Sequence, residues 1–172
     1  MAKVYLGLGS NLGNRQSFID QAINLLKEEP AIDVLRVSSC LETEPEGNLN
    51  QPKFLNCVCE IETTLSPIDL LDKLRKIEKK LGRPEEREEN SARNIDLDIL
   101  VYDDVLLKGK TLTIPHPRLH ERLFVLNPLS ELAPKLMVPK HNKTVSQLLA
   151  ELNQINESNQ LNPPNAGPKP EA

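Results

Sequence analysis

Asn94–Tyr102 reads NIDLDILVY. Apolar Ile95, Leu97 and Ile99 alternate with Asp96 and Asp98, the period-two pattern of a strand with one buried and one open face. Residues i and i+2 of such a strand lie on the same side, roughly 7 Å apart. Two carboxylates at that spacing, beside an apolar run, repel each other and resist desolvation. A cation between them relieves both problems, and two Mg²⁺ ions roughly 4 Å apart that bridge carboxylates and phosphate oxygens fit the spacing. A strand with a solvated face that carries two aspartates accounts for the pair by itself equally well. The flanks tip the balance toward metal: Arg83, Arg87 and Arg93 precede the strand, and TIPHPRLHERLF follows it.

Working outward, the residues before this strand predict a helix from an Ser66 N-cap and first-turn Pro67 through Leu81, closed by Gly82. Its inner stripe is Leu70, Leu71, Leu74, Ile77, Glu78 and Leu81. FLNCVCEIET, from Phe54 to Thr63, predicts a strand, as do Lys3 to Leu8 and Val34 to Leu41. Phe18, Ile19, Ala22, Ile23, Leu25 and Leu26 recur at helical spacing and Pro30 ends that region. Beyond the aspartates come a turn at Asp103-Asp104, a strand pair within Val105–Ile114, a short helix in HPRLHERLFVLNPLSEL and a last helix over Thr144–Leu152. The order strand-helix-strand, strand-helix-strand is that of a ferredoxin-like α+β sandwich. Helices then cover one face of an antiparallel sheet. The other face is left to two long loops, Thr43–Lys53 and Arg83–Arg93, expected to be mobile over the active site. One domain over residues 1–156 and a polar, Pro-rich, disordered tail over 157–172 complete the layout.

The chain has 172 residues and a net charge of −4, so no global basic field recommends a nucleic-acid partner. No window has the length of a membrane span, and MAKVYLGLGS lacks the apolar core of a signal peptide. These features predict a cytoplasmic protein, expected to be a monomer. Cys40, Cys57 and Cys59 read as buried thiols: Cys57 and Cys59 share a strand face, and C-x-C without a second pair is weak for zinc.

Other candidates stand beside plain structural readings. GLGSNLG has the spacing G-x-G-x-x-x-G and no following G-K-[ST], so Ser10, Asn11 and Asn14 read as helix-capping residues rather than a phosphate loop. Phe54 and Asn56 share a strand face, a ring and an amide of the kind a flat heterocycle needs, although a core Phe and a strand-end Asn look the same. Phe124 can supply a second ring. His116 lies in a rigid stretch between prolines, and with Arg118 and Arg122 it suits phosphate contacts near a carboxylate–metal pair.

Three stretches together resemble a known family: GLGSNLGN near the start, FLN after a long proline-containing loop, and RNIDLDILVY followed by LTIPHPRLHERLFVLNPL. They resemble 6-hydroxymethyl-7,8-dihydropterin pyrophosphokinase of the folate pathway, over about Ala2 to Lys140. The resemblance implies transfer of pyrophosphate from ATP to the hydroxymethyl oxygen of the pterin, with release of AMP. It implies that Asp96 and Asp98 hold two Mg²⁺ ions, with Arg83 and Arg93 assisting catalysis. The pterin is expected between Phe54 and Phe124, against Asn56, Thr43, Glu46 and Gly47. ATP is expected on Arg75, Glu78, Arg87, Arg93, Ile99, Thr113, His116 and Arg122. Two departures stand out. Glu89-Asn90-Ser91-Ala92-Arg93 replaces a loop that often ends Arg-Trp-Gly-Pro-Arg, with Glu85 where an arginine is common. Glu44 and Glu46 stand where residues are usually apolar.

Other classes remain open on the residues alone. A nucleotidyl or phosphodiester enzyme also pairs aspartates on such a sheet, and releases pyrophosphate instead of AMP. A non-catalytic nucleotide or pterin binder binds ATP without turnover. A purely structural domain leaves Asp96, Asp98, His116 and Arg122 unexplained.

Overall fold

The computed structural model describes residues 1–47, 49–82 and 93–161. The elements run β1 (Ala2–Ser10), α1 (Arg15–Glu28), β2 (Ile32–Val37), β3 (Leu41–Thr43), β4 (Phe54–Thr63), α2 (Pro67–Lys80), β5 (Asp96–Tyr102), β6 (Leu107–Lys108), β7 (Thr113–Ile114), a 3₁₀ turn (Leu119–Glu121), α3 (Leu123–Leu132), β8 (Met137–Val138), β9 (Lys143–Thr144) and α4 (Val145–Leu161). Local signals place several ends. The Asn14 side chain accepts from Ser17 N–H at 3.1 Å to start α1, and Ser66 Oγ accepts from Asp69 N–H at 3.2 Å to start α2, with Pro67 in the first turn. Gly82 leaves α2 at φ +92°, a conformation that costs a glycine little.

Among the described residues the main sheet has five strands, in the order β2-β4-β1-β5 with β3 also on β4, all pairs antiparallel. This is the ferredoxin-like α+β arrangement. One face carries Val4, Leu6 and Leu8 of β1, Cys57, Cys59 and Ile61 of β4, and Leu97 and Ile99 of β5, packed on α1 and α2. A β-bulge divides β5. Tyr5 faces Val101 and Leu6 faces Ile99, so Leu100 is an extra residue. Leu100 and Val101 therefore both serve the opposite face, while Tyr102 returns to the first.

That opposite face corrects the expectation of helices on one side only. Tyr5, Val58, Leu100 and Val101 form a second core with Leu119, Val125, Leu126 and Leu129, closed by Leu148 and Leu152 of α4. α3 and α4 cover half of the face, and the half carrying Asp96 and Asp98 stays open. Other expectations change in detail. The second strand breaks after Val37, where Ser38 Oγ accepts from Val58 N–H at 2.9 Å and so takes the place of a ladder carbonyl. Cys40, at that break, is exposed rather than buried. α4 continues past Leu152 to Leu161, so residues 157–161 of the expected tail are helical, and 162–172 lie outside the described residues.

The second core should bear load of its own. Leu126→Ala, at a fully buried site facing the sheet, is expected to cost about 2–5 kcal/mol in denaturant unfolding. Removal of residues from Ser158 onward, which takes away no buried side chain of the described residues, should leave the unfolding midpoint unchanged.

Candidate active site

The open half of the sheet forms the floor of a cavity of about 460 Å³. Gly7 and Gly9 of β1, Phe54 and Asn56 of β4, and Asp96 and Asp98 of β5 line it from the sheet. Thr43, Glu44 and Glu46 form one wall, and Arg93, His116, Arg122 and Phe124 form the other. A second cavity of about 260 Å³ opens beside it, with Leu71, Arg75, Ile99, Lys110, Thr113 and Pro117 in its lining. Asp98 and His116 border both cavities. Gly9 has a steric reason to be glycine: a Cβ there would come within 2.8 Å of Asn56 Oδ1.

The carboxylates sit on a tightly held strand. Glu78, buried in the inner stripe of α2, accepts from Leu97 N–H at 3.1 Å. Arg75 donates from Nη1 to Leu97 O at 3.0 Å and to Glu78 Oε1 at 2.5 Å. Two side chains of α2 thus satisfy both backbone groups of the residue between the aspartates. Arg93 Nη1 approaches Asp96 Oδ2 at 3.5 Å. Burial pushes the Asp98 carboxyl up to about 7, reinforced by the charge of Asp96 and opposed by Arg75 and Arg122. Enclosed oxygen donors carrying more negative charge than their surroundings balance suit a hard divalent cation, so Mg²⁺ fits this pair.

His116 has the opposite electrostatics. Burial and the charge of Arg122 push it down to about 4, so it is neutral at physiological pH. Its Nδ1 accepts from Arg118 N–H at 3.1 Å, which leaves the hydrogen on Nε2. The peptide before Pro115 is cis, and His116 N–H donates to Leu100 O at 2.9 Å. Arginines lie over both rings: Arg93 Cζ is 5.5 Å from the Phe54 centroid and Arg122 Cζ 5.2 Å from that of Phe124. The Nε groups of Arg93 and Arg122 are buried and find no acceptor among the described residues, an unmet demand for anionic oxygen. Asn56 Nδ2 donates to Thr43 Oγ1 at 2.7 Å, which leaves its carbonyl oxygen for the cavity.

Most of the expected residues therefore converge. Thr43, Glu46, Phe54, Asn56, Phe124, Arg93, Asp96, Asp98, His116 and Arg122 meet in the larger cavity, and Arg75, Ile99 and Thr113 in the smaller. Glu78 lines neither and acts through Leu97 and Arg75. Gly47, at φ +75°, turns the chain beyond Glu46 and is not in the lining. Arg83 and Arg87, with Glu85 and Glu89, lie outside the described residues. The capping reading of GLGSNLG holds for Asn14 alone. Ser10 ends β1, buried, with its hydroxyl unpartnered among the described residues. Asn11 is a clasp: it accepts from Arg93 N–H at 2.8 Å and donates to Gln51 Oε1 at 2.8 Å and Pro52 O at 3.2 Å. Its only sequence signal is a position just after the floor strand.

The chain is similar to known proteins. The family model described as 7,8-dihydro-6-hydroxymethylpterin-pyrophosphokinase (HPPK) matches residues 5–134. The 2-amino-4-hydroxy-6-hydroxymethyldihydropteridine pyrophosphokinase of Bacillus subtilis (strain 168) is 44% identical over 128 residues, 74% of this chain and 76% of the relative. The protein of the same name from Aquifex aeolicus (strain VF5) is 42% identical over 151 residues, 88% of this chain and 92% of the relative. Wild-type Plasmodium falciparum HPPK-DHPS with pteroate superposes at a TM-score of 0.73 with 16% identity. That match covers 94% of this chain and 44% of the other, so the chain spans just under half of that structure's length and the likeness concerns the fold.

Two outcomes follow from the geometry. Gly9→Ala should displace the Asn56 amide and raise the KM of a heterocycle bound at the floor about tenfold, on the order of 1.4 kcal/mol, with the KM of a ligand in the smaller cavity unchanged. The second concerns pH. Because the Asp98 carboxyl is raised above its unfolded value, its favourable contribution is full below that value and is lost as pH rises through about 7. His116, lowered, contributes above its unfolded value and loses that as pH falls through about 4, in wild type and variant alike. With divalent cations chelated, the gain of Asp98→Asn over wild type should therefore be at least ~1 kcal/mol larger at pH 8 than at pH 5, read from melting curves.

Proposed function

The chain belongs to the 7,8-dihydro-6-hydroxymethylpterin-pyrophosphokinase (HPPK) family, diphosphotransferases of folate biosynthesis, and we propose that its two cavities divide the work of the reaction. It transfers pyrophosphate from ATP to the hydroxymethyl group of 6-hydroxymethyl-7,8-dihydropterin. The hydroxyl oxygen bonds to the β-phosphorus as its proton is released to solvent, the bond from that phosphorus to the α–β bridging oxygen breaks, and AMP leaves. The larger cavity takes the pterin: Phe54 and Phe124 contribute ring contacts, and Thr43 and Asn56 meet its polar edge. The smaller cavity takes the nucleotide along Arg75, Ile99 and Thr113.

One observation carries this reading. Asp98 and His116 border both cavities, so the two substrates meet over the carboxylate pair. Asp96 and Asp98 would hold Mg²⁺, two ions in our reading, and bound Mg²⁺ neutralises phosphate charge and polarises the transferred group. Neutral His116 donates from Nε2 to phosphate oxygen without bringing a proton that titrates near pH 7. Arg93 and Arg122 offer their unused Nε–H groups to developing negative charge. Asn11 fixes the Arg93 backbone, and Glu78 fixes the strand under the carboxylates. A cytoplasmic monomer is the proposed working unit.

The test is AMP release from ATP in the presence of the pterin alcohol, with and without Mg²⁺. Asp96→Ala and Asp98→Ala should each lower turnover about 10²-fold or more, on the order of 3 kcal/mol, with the fold intact by circular dichroism. Near-wild-type Mg²⁺-dependent turnover in either variant sinks the assignment, and pyrophosphate as the product identifies a nucleotidyl transferase instead.

A further inference from the structure

Glu46 stands at the lip of the larger cavity, on the chain that follows β3. A single oxygen, Oε2, accepts from Arg122 Nη2 at 2.9 Å and from Arg118 Nη1 at 3.2 Å. Arg122 is largely enclosed, with 17% of its side chain exposed, whereas Arg118 is open to solvent and also meets Glu121 at 3.2 Å. An anionic oxygen shared by two guanidinium groups is the arrangement a phosphate oxygen makes. Enclosing Arg122 without a counter-ion is costly, and Glu46 supplies that counter-ion here. It does so incompletely, because Arg122 Nε–H still lacks an acceptor among the described residues. A phosphate has more oxygens and more charge, and can meet both edges of the guanidinium at once.

We propose that Glu46 is an internal stand-in for phosphate: its carboxylate occupies Arg122 and Arg118 until the phosphates of the nucleotide displace it. The inference rests on the nucleotide reading given above. The exchange is anion for anion, so it lets an enclosed arginine persist before substrate arrives. It also lowers apparent nucleotide affinity by the fraction of molecules in which Glu46 holds the arginines. Because Glu46 belongs to the wall that also presents Thr43, its release links nucleotide entry to the shape of the pterin cavity. Glu46 is thus a positioning residue for Arg122 and an opponent of premature anion binding.

The experiment is calorimetric titration of the full chain with the α,β-methylene analogue of ATP and Mg²⁺, which binds without transfer. Glu46→Gln should bind the analogue about three- to fivefold more tightly at low salt, the range for an ion pair of this exposure. The gain should fade at high salt. Glu121→Gln removes a carboxylate that touches Arg118 and not Arg122, and should change affinity less than about twofold. Unchanged or weaker binding by Glu46→Gln overturns the proposal, and an equal gain from Glu121→Gln assigns the effect to net charge and overturns it too. Arg122→Ala separates the two readings. If it weakens binding and the Glu46→Gln gain disappears in the double variant, the stand-in is supported. If it weakens binding but the gain persists, the stand-in alone fails. If Arg122→Ala binds the analogue as wild type does, the phosphates lie elsewhere and the nucleotide reading fails with it.

Discussion

An edge strand carries the chemistry, and the hold on that strand is the constraint from which the site follows. Among the described residues β5 has β1 on one side only, so Leu97 has backbone groups that no described strand satisfies there. Left to solvent, they would let the strand fray or pair with another chain. Glu78 and Arg75 act as a substitute strand, one accepting from Leu97 N–H and the other donating to Leu97 O. The cost is a carboxylate buried in α2, which Arg75 offsets. The result is a fixed spacing and direction for Asp96 and Asp98, whose mutual repulsion would otherwise favour movement.

The second constraint is the unequal covering of the sheet. Tyr5 and Val58 lie under α3 and α4, while Gly7, Gly9 and Asn56 on the same strands do not. Side-chain size along β1 tracks this division: a ring where a helix must be supported, no side chain where a ligand needs room. α3 joins the two halves, because Phe124 and Val125 both line the cavity and both pack into the second core. The aromatic wall is therefore anchored by the packing that stabilises the fold.

Local features were legible in the sequence and long-range partners were not. Period two put Asp96 and Asp98 on one face, and Ser66-Pro67 and Gly82 marked the ends of α2, because these signals arise from neighbouring backbone geometry. Glu78 was visible as a charge within an apolar stripe, but the stripe does not say that its partner is the backbone of Leu97 rather than a nucleotide. α3 was readable as a short helix, but LFVLNPLSEL is apolar on nearly every side, so its pattern does not say which surface it meets. Asn11 looked like a cap because a turn asparagine looks the same whether it bonds its own helix or a backbone 82 residues away. The partners of Glu46 were hidden for the same reason. No local pattern reports that two arginines more than seventy positions later will come to it.

The extra residue at Leu100 bears on how this chain can vary in length. Parity along β5 is set separately on the two sides of the bulge: carboxylates outward before it, Tyr102 inward after it. Loss of the bulge residue itself would leave both parities standing, but a one-residue change elsewhere between Asp96 and Tyr102 reverses one of them, turning either an aspartate into the apolar core or Tyr102 out of it. Both ends of the stretch are pinned, by Leu97 to α2 and by Tyr102 O–H donating to Leu65 O at 2.6 Å, so the strand cannot slide to absorb the change. Indels among relatives should therefore gather in the connections around the cavities, and this seven-residue strand should change length only at its bulge, even where its apolar residues are exchanged.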